Sequence, residues 1–360
     1  TGSSLAAAGV PVAVVAKIGR DLHGDELMRQ WREAGMQTEM VMRDDALSTS
    51  VAVLPVYTDG GRGCWVDLSA NDALDARAVL AALAPALPSP TALAPCEPAP
   101  PPGSVSAPGF PPVAAVHIGY PHLLQRLRGA ELSSLLASLA DQQDGALFSV
   151  DVNGVSPHTH SDGVLGPALW AVDLLHANLE EARIMAGLGW DGAADYGDDE
   201  PVPGAPAVAV NRTPTSSQPR DPTSSQPHDA AAVQPPVPPD AEGALPELRR
   251  IAGRMHRRGV AIVAVTLGSR GAFASVHPEQ ARLQRVTQLH RATAGWCGTD
   301  LLLPALPARG SLNSNGAGDA FTAGLLASLL RREPCSLEEA LREAQASAMR
   351  RISGATGREG

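Results

Sequence analysis

At 360 residues the chain is long enough for one large α/β domain or two ordinary ones, with ample material for a buried core. Its net charge of −10 argues against nucleic acid or an anionic membrane surface as the main partner, so an anionic substrate needs a local positive feature such as a helix N-terminus. Lys17 is the only lysine, the four cysteines (Cys64, Cys96, Cys297, Cys335) show no ligand spacing, and no apolar stretch approaches the roughly 20 residues of a membrane span.

The chain opens "TGSSLAAAGVPVAVV", with neither an initiator methionine nor a signal-peptide pattern, so a natural N-terminus upstream is expected and localisation stays open. "VAVVAKIG" (12–19) predicts a strand, and "GDELMRQWREAG" (24–35) a helix with Leu27, Met28 and Trp31 on one side. "TSVAVLPVY" and "GCWVDLS", separated by "TDGGR", predict a hairpin at about 48–68 that does not fit βαβ winding and is placed as a lid. Residues 85–112 hold 11 prolines in 28 positions, too many for a helix or an interior strand, and are expected to be a disordered insert.

Strand "AAVHIGY", helix "AELSSLLASLADQQ", strands "ALFSVDV" and "VDLLHAN", and helix "LEEARIMAG" follow. A second insert is expected over 191–245, with the near-duplication "TSSQPRDP" and "TSSQPHDA". Then come helix "ELRRIAGRMHRRG", strand "VAIVAVTLG" and a helix after Asp319. Alternating strands and helices with short apolar strands predict a single α/β domain, a mostly parallel sheet with helices on both faces.

"NSNGAGDAF" sits at the mouth of that last helix. A helix start carries unpaired N–H groups and partial positive charge, and Gly316 and Gly318 remove side chains that would keep a phosphate from the amides. Asp319 follows within reach of whatever receives the phosphate, so cradle and carboxylate together suit phosphoryl transfer to a hydroxyl. An ordinary Gly-rich turn with a first-turn aspartate has the same letters.

"HANLEEA" offers Asn178 and Glu181 either as a pair near phosphates and magnesium, acting through water, or as a helix capping box. "VAVTLGSRGAFA" sets Gly268 and Gly271 after a buried strand, as a nucleotide-side turn or as a turn needing positive φ. "SVDVNG" ends a strand with Asp151 and Asn153. His158, His160 and Asp162 in "PHTHSDG" lack a further anchor and read better as solvated than as a metal site. A Walker A sequence, the protein-kinase set and a dinucleotide fingerprint after the first strand are all absent.

Taken in order, these pieces resemble the PfkB (ribokinase-like) family of carbohydrate and nucleoside kinases over roughly 260 residues, everything except the inserts. The early block "VAKIGRDLHGDELMRQWREAGMQTEMV" carries Gly19, Asp21, Gly24 and Gly35; "NLEEA", "VTLGSRGA" and "NSNGAGDAF" are similar to the family's N-x-x-E, T-L-G-x-x-G-A and anion-hole motifs. "AQASAMRRISGA" is similar to the short element that closes over the adenine.

The resemblance implies a three-layer α/β/α fold with a β lid, a possible homodimer through that lid, and ATP with Mg²⁺. It implies Asp319 as base, Gly316, Ala317 and Gly318 as anion hole, and Asn178, Thr266, Gly268, Gly271, Asn315 and Ala346 on the nucleotide. Glu181 falls on the metal side, and Asp21, Asn71 and Asn153 on the sugar or nucleoside. The sequence departs from the family in three places: it begins just after the G-G-x-x-x-N sugar stretch and first strand, Asn313 replaces an aspartate, and it stops soon after "ISGATG", about one strand early. A non-catalytic kinase-like binding protein is therefore the runner-up, and a ribose-binding or redox α/β protein a distant third.

Overall fold

The structure is a computed structural model that describes residues 1–55, 64–83, 113–142, 145–152, 161–188, 243–307 and 315–354. The insert 85–112 and most of 191–245 lie outside the described residues. In chain order the first elements are α1 (Gly2–Ala7), β1 (Ala16–Gly19), α2 (Leu22–Glu33), β2 (Val41–Asp44), β3 (Val51–Val53), β4 (Trp65–Asp67), α3 (Ser69–Asp72) and α4 (Ala76–Leu83). They are followed by β5 (Ala115–Gly119), α5 (Gly129–Gln142), β6 (Leu147–Asp151), α6 (Ser161–Val164), β7 (Leu174–Asn178), α7 (Leu179–Met185) and α8 (Leu245–Arg257). The last are β8 (Ile262–Thr266), β9 (Ala272–Val276), α9 (Gln280–Gln284), α10 (Thr287–Ala292), β10 (Asp300–Leu303), α11 (Ala317–Leu329) and α12 (Leu337–Gly354).

Six strands form the main sheet in the order β10-β9-β8-β7-β6-β5. β5 to β8 are mutually parallel, and β9 runs antiparallel to both neighbours. Residues alternate between two cores with the strand period of two. Phe148, Val150, Leu175, Ala177, Val263, Val265 and Phe273 join Leu132, Leu136, Met185, Leu248 and Ile251 of α5, α7 and α8 on one face. Leu147, Leu174, Ile262, Ala264, Ala272 and Ala274 join Leu283, Leu289, Phe321, Leu325 and Leu341 of α9 to α12 on the other. This is the expected three-layer α/β/α arrangement with a mostly parallel sheet.

Several boundaries differ from expectation. The strand expected over 12–19 is regular only from Ala16, with an isolated bridge at Ala13, and pairs with β2 in a parallel ribbon apart from the main sheet. The second insert ends earlier than expected: α8 begins at Leu245, because Pro246 sits in its first turn, where the missing N–H costs nothing. The segment "AQASAMRRISG" is not a short separate element but the end of the 18-residue α12. β3 and β4 pair antiparallel as the hairpin predicted, and leave Val53, Leu54, Trp65 and Val66 exposed.

Candidate active site

The site lies where the carboxyl ends of β5 to β8 meet the N-terminus of α11, the usual ligand edge of an open α/β sheet. Register sets the row: Gly119 faces Asp151, Asp151 faces His176, and Asn178 faces Thr266. The alternation that sends Val150 and Leu175 to one core turns Asp151 and His176 toward α11. There the Thr322 hydroxyl donates to Asp151 Oδ2 at 3.1 Å, and Phe321 lies 5.2 Å from the His176 ring.

Gly316 is the N-cap of α11 at φ 77°, a conformation open to glycine, and no side chain caps the helix. The first-turn amides at Ala317, Gly318 and Asp319 are thus left for an anion. Asp319 is the third helical residue, with its side chain 28% exposed. Its Oδ1 accepts from the Thr1 hydroxyl at 2.7 Å and the Thr1 nitrogen at 2.9 Å, and its Oδ2 accepts from the Tyr120 hydroxyl. Burial pushes the Asp319 carboxyl up, and the hydrogen bonds from the Tyr120 and Thr1 hydroxyls pull it down.

Beneath the loop, His176 Nδ1 pairs with Asp151 Oδ2 at 3.2 Å, both side chains being almost wholly buried. Burial alone would push this imidazole down, yet the Asp151 carboxylate, with Glu181 and Asp319 further off, holds it above its usual value. Asp151 is held down in turn, against its own burial, chiefly by His176. His117 on the next strand meets the Ser149 hydroxyl at 3.1 Å, and burial pushes it down to about 4, so it is neutral.

Asn178 and Glu181 form a full capping box: Asn178 Oδ1 accepts from the Glu181 amide at 2.9 Å, and Glu181 Oε2 accepts from the Asn178 amide at 3.0 Å. The capping alternative is therefore present, and Asn178 also stands beside Thr266 at the sheet edge. The T-L-G-x-x-G-A segment is the turn between β8 and β9, closed by Leu267 N–H to the Gly271 carbonyl at 2.9 Å. At Gly271 a Cβ would run into the Leu303 carbonyl; at Gly268, φ 62°, the space is open. Gln345 donates to the Pro304 carbonyl at 2.9 Å, fastening α12 to the strand-end loop beside half-buried Ala346. Asn315 is described, but Asn153, Asn313, His158, His160 and the Asp162 side chain are not. Among the described residues no group of three or more His, Cys, Asp or Glu could hold a metal by itself.

Two substrate-side expectations are not brought to the α11 loop by any hydrogen bond. Asp21 caps α2, accepting from Gly24 N–H at 2.8 Å and from Thr49 N–H and hydroxyl at 2.7 Å each. The Thr49 amide first, then its hydroxyl and Gly24, push that carboxyl down to about 2. Asn71 lies in α3, with its amide donating to Ser50 Oγ at 2.9 Å. The sequence also left three residues unmarked: Tyr120, His176 and Arg351. Polar Ser149, Asp151 and His176 at alternate places in otherwise apolar strands were the available signal.

Residues 240–355 match the model of the pfkB family carbohydrate kinases. No curated protein matches the sequence significantly. Solved structures resemble the chain over nearly its whole length. The ribokinase of Arabidopsis thaliana, solved with ribose and ATP, is 17% identical, with TM-score 0.57 and coverage of 98% of this chain and 79% of that one. An E. coli protein described as ribokinase II is 14% identical, TM-score 0.56, with 97% and 79% covered. The nucleoside kinase of Methanocaldococcus jannaschii is 13% identical, TM-score 0.53, with 98% and 77% covered. At such identities these likenesses show the fold.

Proposed function

Because the chain carries the pfkB-family signature over residues 240–355 on a ribokinase-like fold, we propose that it is a phosphotransferase of the sugar-kinase kind, moving the γ-phosphoryl group of ATP to a hydroxyl of a sugar or nucleoside. One observation carries the assignment: Asp319 accepts hydroxyl hydrogens, from Thr1 and Tyr120, at the mouth of an uncapped helix. A carboxylate so placed is positioned to take a proton from an acceptor hydroxyl while the adjacent amides hold the transferring phosphoryl group.

In the proposed step the acceptor oxygen attacks the γ-phosphorus, its proton passes to Asp319, and the bond to the β-phosphate oxygen breaks to release ADP. The Gly316–Asp319 amides stabilise negative charge on the phosphoryl oxygens, and the turn at Thr266–Gly271 supports the nucleotide. Magnesium, when bound, spreads the charge of the phosphates. It would be held by Glu181 through water together with the phosphates, which fits a site with no cluster of three or more ligating side chains among the described residues. The β3–β4 hairpin, with Trp65 69% exposed, suits a lid and a pairing surface for a second copy.

The test is transfer of labelled γ-phosphate from ATP by the full-length protein to a panel of pentoses, hexoses and nucleosides. Acceptor-dependent product and ADP support the proposal. ADP binding with no transfer to any acceptor supports the non-catalytic runner-up instead.

A further inference from the structure

α11 and α12 pack antiparallel and unusually close. A Cβ on Gly324 would lie 2.8 Å from both Ala344 Cα and the Glu343 carbonyl and 2.9 Å from Ser347 Cβ, so only glycine lets the helices meet there. That close approach fixes the rotation of α12. Arg351, four residues after Ser347 and seven after Ala344, falls on the same face.

The guanidinium of Arg351 accordingly arrives over the start of α11. Its Nε, Nη2 and Cζ lie 3.1, 3.7 and 3.8 Å from the position a Cβ on Gly316 would take. Arg351 is exposed and makes no hydrogen bond or ion pair among the described residues. A long cation held over a backbone loop without a partner is ready to receive an anion. The described loop, Asn315–Asp319, contains no basic side chain and adds the charge of Asp319, in a chain of net charge −10. A polyphosphate needs a cation from elsewhere.

A second observation points the same way. Two residues along the loop, His176 Cε1 lies 3.3 Å from the place of a Cβ on Gly318. The adjacent Nε2 is buried with no hydrogen-bond partner among the described residues. The bare loop is therefore approached by two basic side chains that belong to none of its motifs.

We propose that Arg351 binds the phosphate chain of the nucleotide, its planar fork lying over Gly316 and donating to phosphate oxygens. This rests on the nucleotide-binding reading of the α11 loop. Glycine at 316 then serves two needs, a positive φ and room for the guanidinium.

The experiment is calorimetric titration of full-length wild type, Arg351→Met and Arg351→Lys with ADP and with adenosine, with thermal melts as a folding control. The expected result is about 10-fold weaker ADP binding by Arg351→Met, the effect of removing one charge-assisted hydrogen bond, with adenosine unchanged and Arg351→Lys in between. Equal ADP affinity in Arg351→Met and wild type overturns the inference and leaves the kinase reading standing. Equal weakening for ADP and adenosine overturns it too, because a group that binds phosphate cannot act on adenosine. Wild-type protein that binds neither ligand defeats the nucleotide reading, and the inference with it.

Discussion

Tyr120 donates its phenolic hydrogen to Asp319 across 199 residues of sequence, from a backbone at φ 56°. It is the only non-glycine at positive φ among the described residues. That conformation costs about 1–3 kcal/mol and persists only where surroundings impose it, as at functional sites. The strained turn at the end of β5 aims the hydroxyl at Asp319 Oδ2, while Thr1 bonds Oδ1.

Tyr120→Phe keeps the ring and removes the donor. The carboxyl of Asp319, held low partly by this hydrogen bond, then rises, so the base is neutralised at higher pH as the solution is acidified. The acidic limb of kcat/KM should move to higher pH. An unmoved limb means the phenol does not act on Asp319 during turnover.

Glu181 caps α7, and in the proposed mechanism it also serves magnesium; substitution can separate the two. Glu181→Gln retains an acceptor for the Asn178 amide, so stability should stay within about 0.5 kcal/mol, whereas Glu181→Ala should lose about 1 kcal/mol with the cap. The glutamine variant should need more magnesium for half-maximal activity. Wild-type magnesium dependence in Glu181→Gln would reduce the residue to its cap.

The buried Asp151–His176 pair makes stability depend on pH. The folded imidazole titrates above its ordinary 6.5, so its contribution is fully present below that value and is lost as pH rises through the raised folded value. Denaturant melts of wild type should lose stability above neutrality, relative to His176→Phe, whose profile should be flatter there. Parallel profiles for the two proteins would mean that His176 is not charged.

Gly324→Leu should force α11 and α12 apart. Its side chain has no room against Ala344 and Glu343, and overpacking of this kind costs about 1–3 kcal/mol or more. The thermal midpoint should fall by several degrees, and ADP affinity should fall as Arg351 leaves Gly316. An unchanged midpoint would show that the helices are more loosely packed than their spacing implies.

Much of this architecture was legible in the sequence because the strands are short, apolar and separated by recognisable helices. "LFSVD", "LLHAN" and "IVAVT" lie in the sheet at or within two residues of where their pattern put them. β9 is hidden in the sequence because "AFASV" directly follows a glycine turn and reads as its continuation. β10 is hidden because "DLLL" is too short to show a period. At the site, glycines and the aspartate announced the loop. Tyr120, His176 and Arg351 did not announce themselves, because their importance comes from register and helix packing between segments far apart in sequence. At Asp21 the motif is matched, and both oxygens accept hydrogen bonds that hold Thr49 and the start of α2.

The measurement that bears most directly on the account is single-turnover phosphoryl transfer by full-length Asp319→Asn, with ADP binding measured in parallel. Asparagine is nearly the same shape and suits the first turn of a helix, so the amide cradle should survive and ADP affinity should hold or rise once the charge is gone. Transfer to the acceptor hydroxyl should fall by about 10²–10⁴-fold, the usual consequence of losing a general base. An Asp319→Asn protein that transfers phosphate at the wild-type rate would contradict the mechanism and leave Asp319 as a first-turn helix residue bonded to Tyr120 and Thr1.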